Sequence, residues 1–344
     1  MKCFKKCVWL MCIIAVLPFA GHAQKVGTTS MQFLKVMPSA RATALGDAYS
    51  ALATGAEAVF WNPSGLALTQ NHDFSSTYVN WIFDAQQGAL AYAFPLGGIG
   101  AVGVQVQYVD YGVFEETSTL AEYWDPDFPG FTGRTFRPFS YLVGITYARS
   151  LTDRFSTGIS IKYAHESLYN GRMVTALVPQ GGSYASREVK TWGSGLLFDF
   201  GVRYNTGFRS IQIAASVQNF GAEITYANES SAVPLLFRLG TAANVMGRDA
   251  LFFNTEENRL SIAFDLFQPN DYAQQQHVGM EYEYAETFAL RAGYKFNYDT
   301  EGLTLGAGLK HTLGSVRLSV DYSYGTLGTY LGNVQRFSLG AELQ

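Results

Sequence analysis

Cysteine is nearly absent from this chain of 344 residues, and the three that occur, Cys3, Cys7 and Cys12, lie at its very start. Disulfides therefore do not hold the fold. Long apolar runs are missing too: none beyond Ala20 reaches the roughly 20 residues that a membrane helix needs, which excludes a helical membrane protein. Basic excess is lacking, with 24 Lys and Arg against 28 Asp and Glu, so nothing suggests a nucleic-acid partner. His72, His165, His277 and His311 fall on separate segments without a second metal-type ligand at a meaningful spacing. No metal or cofactor is expected.

What is present is alternation. From Asp73 to the last residue, segments of about ten residues alternate apolar with polar or small side chains between turn residues, the pattern of a closed transmembrane β-barrel. In 155–164, Ile159, Ile161 and Tyr163 share one face and Ser160, Lys162 and Ala164 the other, because successive strand side chains point oppositely. The same division sets Phe288, Leu290, Ala292, Tyr294 and Phe296 against Ala289, Arg291, Gly293 and Lys295. A soluble sandwich also alternates. Two features favour the membrane: tyrosines such as Tyr78, Tyr108, Tyr147, Tyr163, Tyr204, Tyr284, Tyr294 and Tyr324 near strand ends, and polar faces rich in Gly, Ser, Gln and charge.

The N-terminus predicts export. Lys2, Lys5 and Lys6 precede an apolar core over 8–20, and Gly21-His22-Ala23 offers the small residues of a cleavage site, giving a signal peptide over 1–23. Residues 24–71 are Ala-rich and end at Trp61-Asn62-Pro63-Ser64-Gly65-Leu66, which predicts one or two short helices and a tight turn, a plug-like segment. Residues 72–344 are left for the barrel.

Counting strands gives fourteen: 72–84, 87–96, 99–110, 138–149, 154–166, 191–204, 208–220, 233–246, 258–268, 273–285, 287–297, 302–312, 314–325 and 333–343. The two longest connections, 111–137 and 167–190, both follow odd strands, whereas tight turns follow even ones, as in a barrel whose ends both lie on the periplasmic side. The stretch 247–257 after strand eight is longer than such a turn should be.

The segments 39–49 and 56–67, with Arg41, Gly46, Asp47, Trp61, Asn62, Pro63 and Gly65, resemble the start of the PorV/PorQ family, related to the FadL-type fatty-acid transporters. The resemblance implies a fourteen-stranded barrel in the outer membrane of a Gram-negative bacterium. It also implies service to type IX secretion, with outer-membrane lipid around it and secretion-system subunits and cargo C-terminal domains as partners. The alternative is a FadL-like transporter of hydrophobic small molecules. Physically, the seven residues suit a structural plug and turn: Pro fixes φ, Asn bonds its own backbone, and Gly65 tolerates left-handed geometry. The leader would plug the lumen from below.

No catalytic residue is expected. Ser194 in Gly193-Ser194-Gly195 is not a nucleophile elbow. His277, Glu281 and Glu283 share a strand face, and pairing with Arg291 and Lys295 on the neighbouring strand explains them better than catalysis. The aromatic stretch around Tyr123, Trp124, Phe128, Phe131 and Phe136 is the surface of most interest, as a lid or as partner contacts.

Overall fold

Fourteen antiparallel strands close on themselves in the computed structural model, which describes residues 27–117, 130–170, 172–180, 183–227 and 229–344, the side chains of 174–186 excepted. The strands are β1 Asp73–Asn80, β2 Gln86–Pro95, β3 Ala101–Asp110, β4 Phe139–Ser150, β5 Phe155–Ser167, β6 Trp192–Asn205 and β7 Gln212–Gly221. They continue as β8 Leu236–Gly247, β9 Asn258–Pro269, β10 Gln275–Tyr284, β11 Phe288–Phe296, β12 Leu303–Leu313, β13 Val316–Thr326 and β14 Asn333–Leu343. Each pairs with its sequence neighbours, and β1 meets β14 in register from Asp73 opposite Glu342 to Asn80 opposite Gln335. Closure leaves the barrel no open edge, which hydrocarbon requires.

The alternation read from the sequence is the alternation observed. Ile159, Ile161 and Tyr163 are exposed on the outer wall, whereas Ser160, Lys162 and Ala164 are buried within. The same holds in β14, where Phe337, Leu339 and Leu343 face out and Ser338 faces in. An apolar outer wall around a polar interior inverts the soluble arrangement and suits lipid outside.

Strand ends shift where turn geometry intervenes. The first strand stops at Asn80, short of the expected 84, because Phe83 and Asp84 take positive φ and turn the chain. The long stretch after β8 costs the barrel nothing. It folds back along the strand, with Leu251 N donating to Asn244 O and Phe253–Asn254 running parallel to Met246 and Gly247. Of the connections at the long-loop end, 111–138 carries the hairpin Phe114–Thr117 with Phe131–Phe136, and 168–191 carries Met173–Gln180 with Ser183–Lys190.

Candidate functional site

Residues 27–72 occupy the lumen. Thr29 bridges to Ala232 and bonds Asp271, both in connections at the long-loop end, and the chain then descends to Asp73 at the short-turn end. The expected plug from below is thus only half of the arrangement, for the leader runs through the barrel from one mouth to the other. Two short helices mark its path, α1 Ala40–Ala44 and α2 Ala58–Trp61, followed by a 3-10 turn over Pro63–Leu68. Ser39 caps α1 by accepting from Ala42 N at 3.1 Å. Alanine suits these helices for packing as well as propensity, since Ala40, Ala42, Ala44, Ala56 and Ala58 are wholly buried and only small side chains fit between leader and wall.

Six of the motif residues, Arg41, Gly46, Asp47, Trp61, Asn62 and Pro63, meet the wall, and Gly65 packs within the leader. Asn62 is fully buried, its Nδ2 donating to Ser50 O at 3.1 Å and its Oδ1 accepting from Ser64 N at 3.1 Å and Ser64 Oγ at 2.8 Å. The Asn62-Pro63 turn sits hard against β5 and β6, where a Cβ on Gly158 would come within 2.5 Å of the Pro63 carbonyl and one on Gly201 would collide with Asn62. Gly65 has no left-handed φ, contrary to expectation; a side chain there would strike the Ala53 carbonyl, so close approach explains it. Gly46 does take a positive φ of 63°, and its backbone presses on β10 and β11. Trp61 is fully buried, donates Nε1–H to Pro38 O at 2.9 Å and meets the Tyr49 ring edge-on at 5.7 Å.

Arg41 and Asp47 tie the leader to the wall by charge. Arg41 grips Glu281 with Nε and Nη2 at 2.9 and 2.8 Å, Glu281 accepts from Arg291 Nε at 2.6 Å, and Arg291 reaches Asp321 at 2.6 Å. Asp47 pairs with Lys295 at 2.6 Å, and Lys295 also holds Glu301. Of the two expected lumen cations, Arg291 therefore serves Glu281, whereas Lys295 serves the leader. Glu283 pairs instead with Arg259 at 2.9 Å and Lys310 at 2.7 Å, and His277 shares a hydrogen bond with Tyr298.

At the mouth, Asp271 accepts from Thr29 Oγ1 at 2.6 Å and Gln32 Nε2 at 3.3 Å and pairs with Lys35. Burial pushes its carboxyl upward, but the hydrogen bonds from Lys35, Thr29 and Gln32 outweigh burial and hold it below the ordinary carboxylate value.

Sequence reasoning did not single out Arg238. It is 2% exposed on the inner face of β8, its guanidinium 4.1 Å from the Phe267 ring and 5.0 Å from Trp61. Alternation with outward Phe237 and Leu239 could have placed it inside; its ring partners depend on the leader's path. Ser194 shares a 2.8 Å hydrogen bond with His165, which stacks on Tyr141 on the outer wall.

Of the aromatic loop, Tyr123, Trp124 and Phe128 lie outside the described residues. Phe131 is exposed, and Phe136 is half-buried between Phe114 at 5.6 Å and Tyr169 at 4.8 Å. Within the hairpin Glu116 accepts from Arg134 at 2.8 Å, and it ties the hairpin to the next loop by accepting from Tyr169 at 2.7 Å.

Comparison with known proteins gives the same architecture. The toluene transporter TodX of Pseudomonas putida matches with a TM-score of 0.55 and 14% identity, over 88% of this chain and 96% of that one. The monoaromatic hydrocarbon channel CymD matches with a TM-score of 0.51 and 11% identity, over 89% of this chain and 97% of that one. At such identities the likeness concerns the fold alone. No curated protein matches the sequence. The family model described as type IX secretion system protein PorV matches residues 19–268. The chain therefore belongs to the PorV family, as an outer-membrane β-barrel of a Gram-negative bacterium.

Proposed function

We propose that this barrel receives exported cargo on the type IX pathway and delivers it to the cell surface, with secretion-system subunits and cargo C-terminal domains as its partners. The observation that carries the reading is the PorV family match across residues 19–268. The lumen supports it. A barrel threaded along its length by its own leader, with buried ion pairs to the wall, is a better scaffold for a partner than an open conduit for solutes. The cavities on either side of the leader are lined mainly by charged, amide and hydroxyl groups rather than by a continuous apolar surface. In this reading residues 1–23 are the export signal, 24–71 the plug and 72–344 the barrel. The exposed aromatic hairpin at the long-loop end, including Phe114 and Phe131, supplies anchors of the kind that protein partners use.

Affinity purification of the protein from outer membranes tests this. Secretion subunits or cargo C-terminal domains are expected to co-purify, and replacing Phe114 and Phe131 by serine is expected to reduce cargo recovery several-fold. Recovery of neither, together with loss of uptake of a hydrophobic nutrient on deletion, would replace the reading with that of a FadL-like transporter.

A further inference from the structure

The upper lumen is filled unevenly. On the β3–β7 side, Met31, Phe33 and Leu34 of the leader pack with Leu142, Leu197 and Ile224 into an apolar cluster. On the opposite side a cavity of about 240 Å³ lies between leader and wall, with Tyr272 and Tyr298 at its long-loop end.

Two guanidiniums line that cavity, Arg238 at 2% exposure and Arg336 at 7%. Among the described residues, neither forms an ion pair. Arg238 Nε and Nη1 and Arg336 Nε lack any hydrogen-bond partner. Both are oriented by aromatic faces, Arg238 by Phe267 and Trp61, and Arg336 by Trp81 at 5.5 Å. Burying a charge without a partner is costly, so two such groups beside one cavity mark a place where an anion is gained or the cost is borne by water.

Of the neighbouring carboxylates, Asp47 and Glu301 face Arg336, and Asp47 and Asp265 face Arg238, all beyond ion-pair distance. Asp47 and Glu301 are drawn onto Lys295, Asp299 accepts from Tyr272, and Lys35 pairs with Asp271. Those carboxylates shape the choice of ligand. A dianion such as phosphate would be repelled by them, whereas a single carboxylate matches the fork of a guanidinium and adds one charge only. Met37, Trp81 and Phe267 offer apolar surface beside the guanidiniums.

We propose that this cavity binds a small organic acid, its carboxylate held by Arg238 and Arg336 and its apolar body packed against Trp81, Phe267 and Met37. The site is independent of the secretory role. A body the size of benzoate or hexanoate suits the space; a long acyl chain does not.

Isothermal titration of the detergent-solubilised full-length barrel tests the proposal with benzoate and hexanoate against benzamide and hexanamide. The acids are expected to bind at least tenfold more tightly than the amides, and R238M and R336Q are each expected to weaken them tenfold or more. Heat-modifiable gel migration identifies variants that still fold, and the acid-to-amide comparison on the unaltered protein stands if Arg238 proves essential for folding. Equal binding of acid and amide would overturn the proposal, since the cavity would then hold only water around its cations. Inorganic phosphate competing as well as benzoate would overturn the assignment to a carboxylate.

Discussion

Arg41 of the leader and Glu281 of β10 form two parallel hydrogen bonds, 2.9 and 2.8 Å long, and the same carboxylate binds Arg291 on the adjacent strand. One buried acid thus joins the plug to two neighbouring wall strands. Its removal leaves Arg41 without its ion pair and Arg291 with Asp321 alone, whereas removal of Arg41 leaves Glu281 still neutralised by Arg291. E281Q is therefore expected to destabilise leader docking by about 3–5 kcal/mol, and R41M by clearly less. Limited proteolysis of the leader, compared with the melting of the heat-modifiable barrel band, separates loss of docking from loss of the barrel.

Gly293 and Gly46 form the tightest backbone approach between leader and wall. A Cβ on Gly293 would overlap the backbone of Leu45 and Gly46, and neither chain has a flexible end there to yield. G293A is expected to displace the α1 region at a cost of about 1–3 kcal/mol or more. Faster proteolysis at 40–47 with an unchanged barrel band is the expected readout. Unchanged leader protection would show that the approach has slack.

Much of this is legible in the sequence. The period of two assigned a face to Ile159, Lys162, Arg291 and Phe337 alike, because in a barrel every strand separates the same two solvents and the signal repeats along the chain. Strand ends were less visible where a turn depends on individual positive φ values, as at Phe83 and Asp84. The partners of Arg238, Lys295 and Asp265 could not be read from alternation. Asp265, for instance, accepts from Ser50 N at 3.0 Å across 215 residues of sequence, a contact fixed by the leader's route rather than by any local pattern. That Gly65 serves close approach was equally hidden, since a glycine in a turn motif has the same letter for either purpose.

The leader's direction gives a labelling experiment. Gly27 is exposed beside Thr29, which is anchored at the long-loop end, so the start of the described leader faces the cell exterior. All three natural cysteines precede residue 13, so if residues 1–23 are the export signal proposed above, an introduced thiol reports alone in the processed chain. G27C is expected to react with a membrane-impermeant maleimide on intact cells. S315C, exposed in the β12–β13 turn at the opposite end, is expected to react only after permeabilisation. The reverse pattern would invert the leader or the barrel.

Asp271 makes that mouth sensitive to acid. Its carboxyl is held below the ordinary value despite burial, because the ionised form accepts from Lys35, Thr29 and Gln32. An acid lowered on docking contributes stability fully above its free pKa of about 3.9, and loses it as pH falls through the depressed value. Protection of the amides at 31–36, taken relative to the unstructured chain at each pH, is therefore expected to stay high at neutral pH and to fall below roughly pH 4. D271N removes the titrating group, so its protection is expected to be lower at neutral pH and nearly flat across the same window. If the two proteins showed the same pH profile of protection, the latch would lie elsewhere, and the packing of Met31, Phe33 and Leu34 in the apolar cluster would be what holds the leader at the mouth.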